Sequence, residues 1–471
     1  MRSRIVSIRG LTLAVLAVVA LGLIVLVPMA LRAAGLAASF YAKTLCSGVF
    51  VSAREAEPVV TGDILPKLRG LPRLFSHAIE QDPPLARAAF LGVVRRAALY
   101  RPGLGCTLLP EGGVAALLEQ SPGLPEGERL PPPAIGLQEA PASNSTHDPE
   151  LLSARISAAF DTPQGSHERR TRAIVVMHKG GIVAERYAEG ITPATPLIGW
   201  SMGKTVVNAL AGMLVHKGRL SLEETSLFPQ WSRPGDARAA ITPAHLLRMT
   251  DGLDFGGERD AVFSPARRML FETGDAATVA LSATPASAPG SQWRYASGPT
   301  ILLCALAARR AGGGPALLSL VHRELFAPLG MTSAVIEPDA AGTPLGAAFV
   351  YASARDWARL GQLFLQDGVW QGNRLLPEGW VAFSHEGTPQ SGKHYGAHLW
   401  RSTPDFLRPA GSHDVGLPQD RMLMLGIDGQ LVAIIPSRDL VIVRLGMSTR
   451  RSTFDPDTFL AGILDAFPPA R

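Results

Sequence analysis

At 471 residues the chain suits two or three folding units of about 150 residues each, and 46% apolar against 18% charged residues excludes general disorder. Its formal net charge of +5 is carried almost wholly by arginine, since lysine occurs only as Lys43, Lys67, Lys179, Lys204, Lys217 and Lys393. No basic stripe interleaved with aromatic residues is present, which excludes a nucleic-acid partner and leaves coding bias as the source of the arginine excess.

In chain order, Arg2, Arg4 and Arg9 precede an apolar run over residues 11–31, broken only by Thr12, Gly22 and Pro28. Some twenty residues at about 1.5 Å each match the roughly 30 Å hydrocarbon core of a bilayer. Cleaved signals usually have shorter apolar cores of about 7–15 residues. The length favours an uncleaved transmembrane anchor, while the Ala-rich residues 33–38 leave cleavage and secretion open. The basic flank, residues 1–10, places the N-terminus in the cytoplasm. The catalytic part then lies in the periplasm or outside a bacterial cell membrane.

Residues 32–120 alternate short apolar runs with turns and carry no legible chemistry. Cys46 and Cys106 both fall there, and an oxidising compartment permits a bridge between them. Cys304, in an apolar stretch, is then left as a buried thiol; three free cysteines are the alternative. The histidines are scattered and no Cys/His cluster has metal-ligand spacing, so neither metal nor cofactor is expected. Residues 121–150, including Pro131-Pro132-Pro133, read as a Pro/Gly-rich linker. Within it Asn144-Ser145-Thr146 fits a glycosylation acceptor, a tripeptide common by chance.

The pattern sharpens over residues 151–471. A helix is expected at 151–160, then two strands at 172–178 and 181–187 joined by Lys179-Gly180. The next helix spans 201–216 and is closed by Gly218. Thr242-Pro243 signals another, a cap followed by proline at the first helical position. Ser297-Gly298-Pro299 opens a third in the same way, ended by Gly312-Gly313-Gly314. Ser353 with Asp356 resembles a capping box for a helix reaching Leu365. Strands at 430–436 and 440–445 flank the turn Ser437-Arg438-Asp439, and a helix closes the chain at 456–466. A hairpin, a run of helices, a second hairpin and a closing helix spell an α+β fold with a helical region and an antiparallel sheet.

Ser201-Met202-Gly203-Lys204 is the centre of the chemistry. Residues three apart share a helix face, so hydroxyl and amine stand side by side. At a first helical turn the unpaired N–H groups and positive helix end favour negative charge developing on oxygen. A serine hydroxyl is a weak nucleophile until a base takes its proton, and a desolvated lysine can serve. Alone the motif is common; its bland alternative is a capping serine beside a solvent-facing lysine. Residues 289–298, Pro-Gly-Ser-Gln-Trp-Arg-Tyr-Ala-Ser-Gly, add Tyr295 to relay protons and Ser297 to hydrogen-bond substrate. The bland alternative for Tyr295 is a half-buried aromatic at a loop–helix junction. A second Tyr-Ala-Ser at 351–353 lacks the Pro-Gly-x-x-Trp lead, and its serine is already explained as a cap.

Taken in order, these segments resemble the class C β-lactamase-like serine hydrolases, including 6-aminohexanoate-dimer hydrolases and related esterases and penicillin-binding proteins. The resemblance rests on Ser201–Lys204, on residues 245–254 (His-Leu-Leu-Arg-Met-Thr-Asp-Gly-Leu-Asp) and on 289–298. It continues through 354–361 (Ala-Arg-Asp-Trp-Ala-Arg-Leu-Gly), 376–380 (Leu-Pro-Glu-Gly-Trp) and 426–430 (Gly-Ile-Asp-Gly-Gln). It implies a helical region beside an antiparallel sheet, with the active site between them. Carried over, Ser201 is the acylated nucleophile, Lys204 its base partner and Tyr295 the tyrosine of the second motif. Ser297 stands where many members have asparagine. The third motif, normally Lys or His, any residue, then Gly, is best matched by Met424-Leu425-Gly426. This places the backbone N–H groups of Ser201 and Ile427 in the oxyanion hole. Methionine offers no charge to a substrate carboxylate, leaving Arg294 or Arg421 as alternative sources. Ser-Asp-Asn and Lys-Thr-Gly are both absent, which argues against a class A β-lactamase. The expectation is an exported serine hydrolase that cleaves a small amide or ester; the alternative is a non-catalytic, acylatable sensor or binding protein of the envelope. Amide against ester, and oligomeric state, are not legible.

Overall fold

The apolar N-terminal run belongs to a helix that continues past residue 31, as one 39-residue element, Ile8–Cys46, in the computed structural model. The structure describes residues 8–68, 72–109, 113–120, 146–161, 169–256, 262–409, 415–448 and 454–467. The segment 121–145, with Asn144 and Ser145 of the candidate glycosylation tripeptide, lies outside the described residues. The two halves of the long helix have different surroundings. Ile24, Val25, Leu26, Val27, Met29 and Leu31 are exposed, whereas Ala34, Leu36, Ala38, Tyr41, Ala42 and Leu45 are buried. The helix is long and apolar enough to cross a membrane. The candidate span is Ile24–Val51, and protein already covers its C-terminal part.

That covering is an antiparallel four-stranded meander, β1 (Phe75–Gln81), β2 (Pro84–Phe90), β3 (Val94–Arg101) and β4 (Gly105–Leu108). The short apolar runs of the N-terminal region are its helix-facing residues, among them Ala86, Ala88 and Ala98. Small side chains there admit the helix closely. A disulfide joins Cys46, the last residue of the helix, to Cys106 of β4.

The second sheet is built from both ends of the remaining chain. β5 (Thr171–His178) and β6 (Gly181–Tyr187) form the first hairpin. β7 (Leu197–Ile198), β8 (Val335–Ile336) and β9 (Val350–Ala352) make a small separate sheet in the order β7-β9-β8, and β10 (Val369–Trp370) pairs with β11 (Asn373–Arg374). β12 (Met422–Gly426), β13 (Gln430–Ile435) and β14 (Leu440–Gly446) return to the main sheet, whose order is β12-β13-β14-β5-β6. Alternate residues serve opposite faces. Val175, Met177, Met422 and Met424 join the core shared with the helical lobe. Ile174, Val176, Leu423 and Leu425 pack on the other face with the helices Pro149–Ala158 and Pro456–Leu464. Burial on both faces explains why β5, β13 and β14 read as continuous apolar runs rather than alternating ones.

Local details depart from the sequence reading in several places: the helix expected at 151–160 runs Pro149–Ala158, and Ser353 N donates to Ser333 Oγ rather than closing a capping box with Asp356. Ser201 lies in a 3-10 turn, Trp200–Met202, and the α-helix proper is Gly203–His216. Thr242 and Ser353 cap their helices as expected, but Ser297 makes no capping hydrogen bond to Gly298–Ala311. The closing helix ends at Leu464.

The N-terminal unit is stitched to the second one by charge. Glu337, fully buried, takes Lys43 as its ion-pair partner and accepts hydrogen bonds from Ser47 Oγ (2.8 Å) and the Cys106 amide (2.7 Å). Asp63 is gripped by Arg54 and Arg172, and Lys67 pairs with Asp428. Breaking a buried pair by removing one partner leaves an uncompensated charge, at a cost of about 3–5 kcal/mol. Glu337→Ala should therefore lower the thermal midpoint of the full chain by far more than removing Glu80 from its exposed pair with Arg87, as read by calorimetry in detergent.

Candidate active site

The seam between helical lobe and sheet is where Ser201 and Lys204 meet. Lys204 Nζ donates to Ser201 Oγ at 3.0 Å and to the carbonyl oxygen of Ala347 at 2.9 Å. Its side chain is sealed, with the residue only 2% exposed. The three-residue spacing thus does what helical geometry demands, even though a 3-10 turn leads into the helix. Ahead of Ser201, Trp200 holds a left-handed φ of 48°, a sparsely populated state for a bulky residue. Gly199 hydrogen-bonds the Val350 carbonyl at 2.8 Å and rests on the buried Trp357 indole. Any Cβ at Gly203 would strike the Gly346 carbonyl oxygen, so glycine there lets the helix after Ser201 approach the loop that carries Ala347.

That loop is closed at its base by backbone bonds from Glu337 to Phe349 (3.0 Å) and from Leu345 to Glu337 (3.0 Å). Glu337 is the residue that Lys43 holds, and the Lys43 ammonium also lies 4.6 Å from the Phe349 ring centroid. Phe349 in turn sits 6.0 Å from Trp200, ring to ring. Ser52 Oγ bonds the Pro196 carbonyl (2.7 Å) just before β7. The N-terminal unit therefore reaches the strand before Ser201, the loop behind Lys204 and, through Lys67–Asp428, the turn after Gly426.

On the sheet side, β12 ends against the nucleophile turn. A Cβ on Gly426 would collide with the Gly199 carbonyl oxygen, so this strand end and the start of the Ser201 turn are in backbone contact. Ile427, next along, is 45% exposed. Gln430 locks the turn by exchanging hydrogen bonds with Gly446, and Arg444 donates to the Asp428 and Gly429 carbonyls. Met424 is 1% exposed and lies in the core shared with the helical lobe, opposite Val432. It lends no charge to the cleft. Arg294 pairs with Asp254 at 3.2 Å, and Arg421 is buried, bonding the Leu417 and Pro418 carbonyls. Of the two arginines considered above, Arg421 is thus spent on backbone carbonyls, and Arg294 stays exposed in a surface ion pair.

Tyr295 is brought to the site by the 245–254 segment. The Met249 carbonyl accepts from Arg294 N (3.0 Å) and the Thr250 carbonyl from Gly290 N (2.7 Å), pinning both ends of the loop that leads to it. The Lys204 Nζ lies 5.0 Å from the Tyr295 ring centroid, and the ring packs against Trp400 (5.1 Å), Tyr395 (5.7 Å) and Phe406 (6.1 Å). Ser297 follows, half-buried, its hydroxyl not spent on capping the helix. Among the described residues no group of three or more His, Cys, Asp or Glu could hold a metal ion.

Sequence reasoning missed His398. It sits at the tip of a short excursion whose Trp400 pairs with Leu423 of β12, and its carbonyl accepts from Thr205 Oγ1 at 2.8 Å. Burial, with the Lys204 charge adding to it, pushes the imidazole down to about 3, so it is neutral and bonds Thr300 through Nε2 (3.2 Å). The signal available was weak, a lone histidine between apolar residues. Stronger was the rarity of lysine: Lys43, Lys67 and Lys204 all end up in the network around this seam.

A helical lobe, an antiparallel sheet and a buried Ser-x-x-Lys pair at their seam define a serine hydrolase of the β-lactamase and penicillin-binding-protein type. Residues 156–462 match the family described as Beta-lactamase, and the chain belongs to that family. It is 26% identical over 350 residues to the 6-aminohexanoate-dimer hydrolase of Paenarthrobacter ureafaciens, covering 70% of this chain and 85% of that one. Among solved structures it is similar to a Bacillus anthracis protein assigned as a 6-aminohexanoate-dimer hydrolase (TM-score 0.51, 20% identity, 72% of this chain and 86% of that). It is also similar to EstCE1, a hydrolase with promiscuous acyltransferase activity (TM-score 0.52, 16% identity, 68% of this chain and 98% of that).

Asp251, in the segment that holds the Tyr295 loop, generates a pH prediction. Burial raises its carboxyl from 3.8 to about 6, against the opposing hydrogen bond from Leu253 N and the charge of Arg294. A folded-state pKa above the unfolded one means stability is fullest below about pH 4 and is lost as pH rises through about 6, by up to about 3 kcal/mol. The thermal midpoint of the wild type should fall relative to that of Asp251→Asn over this window, the asparagine still accepting from Leu253.

Proposed function

We propose that the protein is a membrane-anchored, exported hydrolase that cleaves a small neutral amide or ester through an acyl-enzyme on Ser201. The observation that carries this reading is the 3.0 Å contact between Ser201 Oγ and the buried Lys204 amine. Ser201 Oγ attacks the substrate carbonyl while Lys204 takes its proton. The backbone N–H groups of Ser201 and Ile427, brought together by the Gly426–Gly199 approach, hold the oxyanion. Tyr295 relays the proton to the leaving group, Ser297 positions the substrate, and water then releases the acid by the reverse sequence of proton transfers. The 6-aminohexanoate-dimer hydrolase relative supports an amide substrate. The apolar surround of Met424 supports a neutral one, because a carboxylate would find no cation at that position.

Export is supported by the Cys46–Cys106 disulfide, which an oxidising compartment sustains, and by the basic flank ahead of the apolar run. Retention of the anchor is supported by packing: a cut within residues 33–38 would fall inside a helix whose Ala34, Leu36 and Ala38 are core residues.

A fluorophosphonate probe should add one covalent label to the wild type and none to Ser201→Ala; a label that survives in the variant places the nucleophile elsewhere. Lys204→Ala should slow labelling steeply, and Tyr295→Phe should lower kcat by about 10²–10⁴-fold with little change in KM. Turnover of short p-nitrophenyl esters or ω-amino amides should be measurable while nitrocefin stays near background. The missing charged hydrogen bond, about 1.5–3 kcal/mol, corresponds to roughly 10–150-fold in carboxylate binding. Efficient nitrocefin hydrolysis would overturn the neutral-substrate reading.

A further inference from the structure

We propose that the turn between β2 and β3 rests on the bilayer as a second, peripheral membrane contact, with Leu91 and Val93 in the headgroup boundary and Arg95 and Arg96 facing anionic headgroups. The proposal rests on reading the exposed half of the N-terminal helix as the membrane span. Among the described residues, the large hydrophobes more than half exposed fall in two places: Leu16, Ile24, Val25 and Leu26 on the span, and Leu91 (62%) and Val93 (75%) on this turn. Isolated exposed hydrophobes need no explanation, but two flanking a single glycine at a hairpin tip form an apolar point. The turn is closed by Val93 N to the Phe90 carbonyl at 3.0 Å, with φ of 50° at Leu91 and 72° at Gly92. Two positive φ values make it a type I′ turn, where asparagine or aspartate ordinarily precedes glycine. Leucine there accepts backbone strain and water exposure together.

Position decides what covers it. The N-terminal helix and β3 run side by side in the same direction. Gly35 lies against the Arg96 guanidinium, and Lys43 bonds the carbonyl of Cys106, which pairs with Tyr100. From Gly35 to Lys43 the helix rises about 12 Å; from Arg96 to Tyr100 the strand rises about 13 Å. Val93, three residues before Arg96, is therefore about 10 Å nearer the helix N-terminus, level with about Met29. Met29 and Leu31 are exposed and apolar, and Arg32 next to them is turned aside to Glu272 (2.8 Å) and the Phe263 ring. Val262, adjacent to Phe263, is exposed too. The turn thus stands where the span meets the folded unit. Arg95 and Arg96 are exposed just behind its tip, the order of apolar and basic groups that an interfacial segment presents to anionic lipid. A span alone leaves the folded unit free to tilt; a second contact fixes its orientation and hence the direction in which the seam at Ser201 opens.

The test uses the full-length chain in nanodiscs of phosphatidylcholine and phosphatidylglycerol (about 7:3). Cys46 and Cys106 are bridged and Cys304 is buried, so a thiol-reactive, polarity-sensitive fluorophore addresses an introduced cysteine alone. Val93→Cys, Ile24→Cys on the span and Glu189→Cys on an exposed turn of the catalytic unit are labelled separately. The Val93 label should be blue-shifted, quenched by a shallow doxyl lipid and about threefold less accessible to iodide than the Glu189 label. Its protection should fall when phosphatidylglycerol is omitted. If the Ile24 label is quenched by doxyl lipid but the Val93 label behaves like the Glu189 label, the anchor stands and this proposal fails. If the Ile24 label also escapes the doxyl lipid, the anchor reading fails and takes the proposal with it. Iodide protection at Val93 without doxyl quenching would mean that protein, a second copy of the chain for instance, covers the turn, and would overturn the lipid assignment. Protection equal in both lipid mixtures would remove the role given to Arg95 and Arg96.

Discussion

A lysine amine sealed from water must have oxygen partners, and the placement of Lys204 between Ser201 Oγ and the Ala347 carbonyl is the constraint on which the rest of the architecture turns. One partner is a hydroxyl three residues away; the other is a backbone atom that has to be delivered by a separate segment. Delivering it requires the 337–350 loop to be closed at its base, Gly346 and Gly203 to let two backbones touch, and Phe349 to pack beside Trp200. His398, buried and neutral, joins the same interior through its carbonyl, which accepts from Thr205 Oγ1 on the helix after Ser201.

The same constraint explains why the N-terminal unit is more than a tether. Glu337, at the base of that loop, is buried and needs a cation, and Lys43 of the long helix supplies it. Lys67 does the equivalent for Asp428 on the other side of the seam, beside the strand end that faces Ser201. Compact ammonium groups suit such single-point contacts, whereas the planar arginine fork is used where Asp63 is gripped from two sides. The long N-terminal helix and the loop that carries Ala347 are thus parts of one packed body.

Much of the fold was legible because it is written in local patterns. The hairpins at β5–β6 and β13–β14, the caps at Thr242 and Ser353, and the helix after Ser201 follow from β-rich apolar runs, turn residues and capping side chains. The sheet of residues 75–108 escaped notice because the residues of β2 and β3 buried in that core are Ala86, Ala88 and Ala98, and alanine carries little strand signal. The continuation of the N-terminal helix past residue 31 escaped for a related reason. Apolar composition marks burial in lipid and burial in protein alike, and only packing against β2 and β3 distinguishes them.

By itself the sequence determined the chemistry that short spacing can specify: a serine and a lysine on one helical face, a tyrosine two residues ahead of a serine, and a third motif without a charge. Tertiary structure alone decided what those groups meet. It buried Met424 in the core, left the Ser297 hydroxyl out of helix capping, set His398 against Thr205 and Thr300 and brought Lys43 to Glu337 across 294 residues of chain. The physical reason is that hydrogen-bond geometry within a turn is encoded by neighbours three or four residues apart. The partner of a buried charge is encoded only by the closing of the whole core around it.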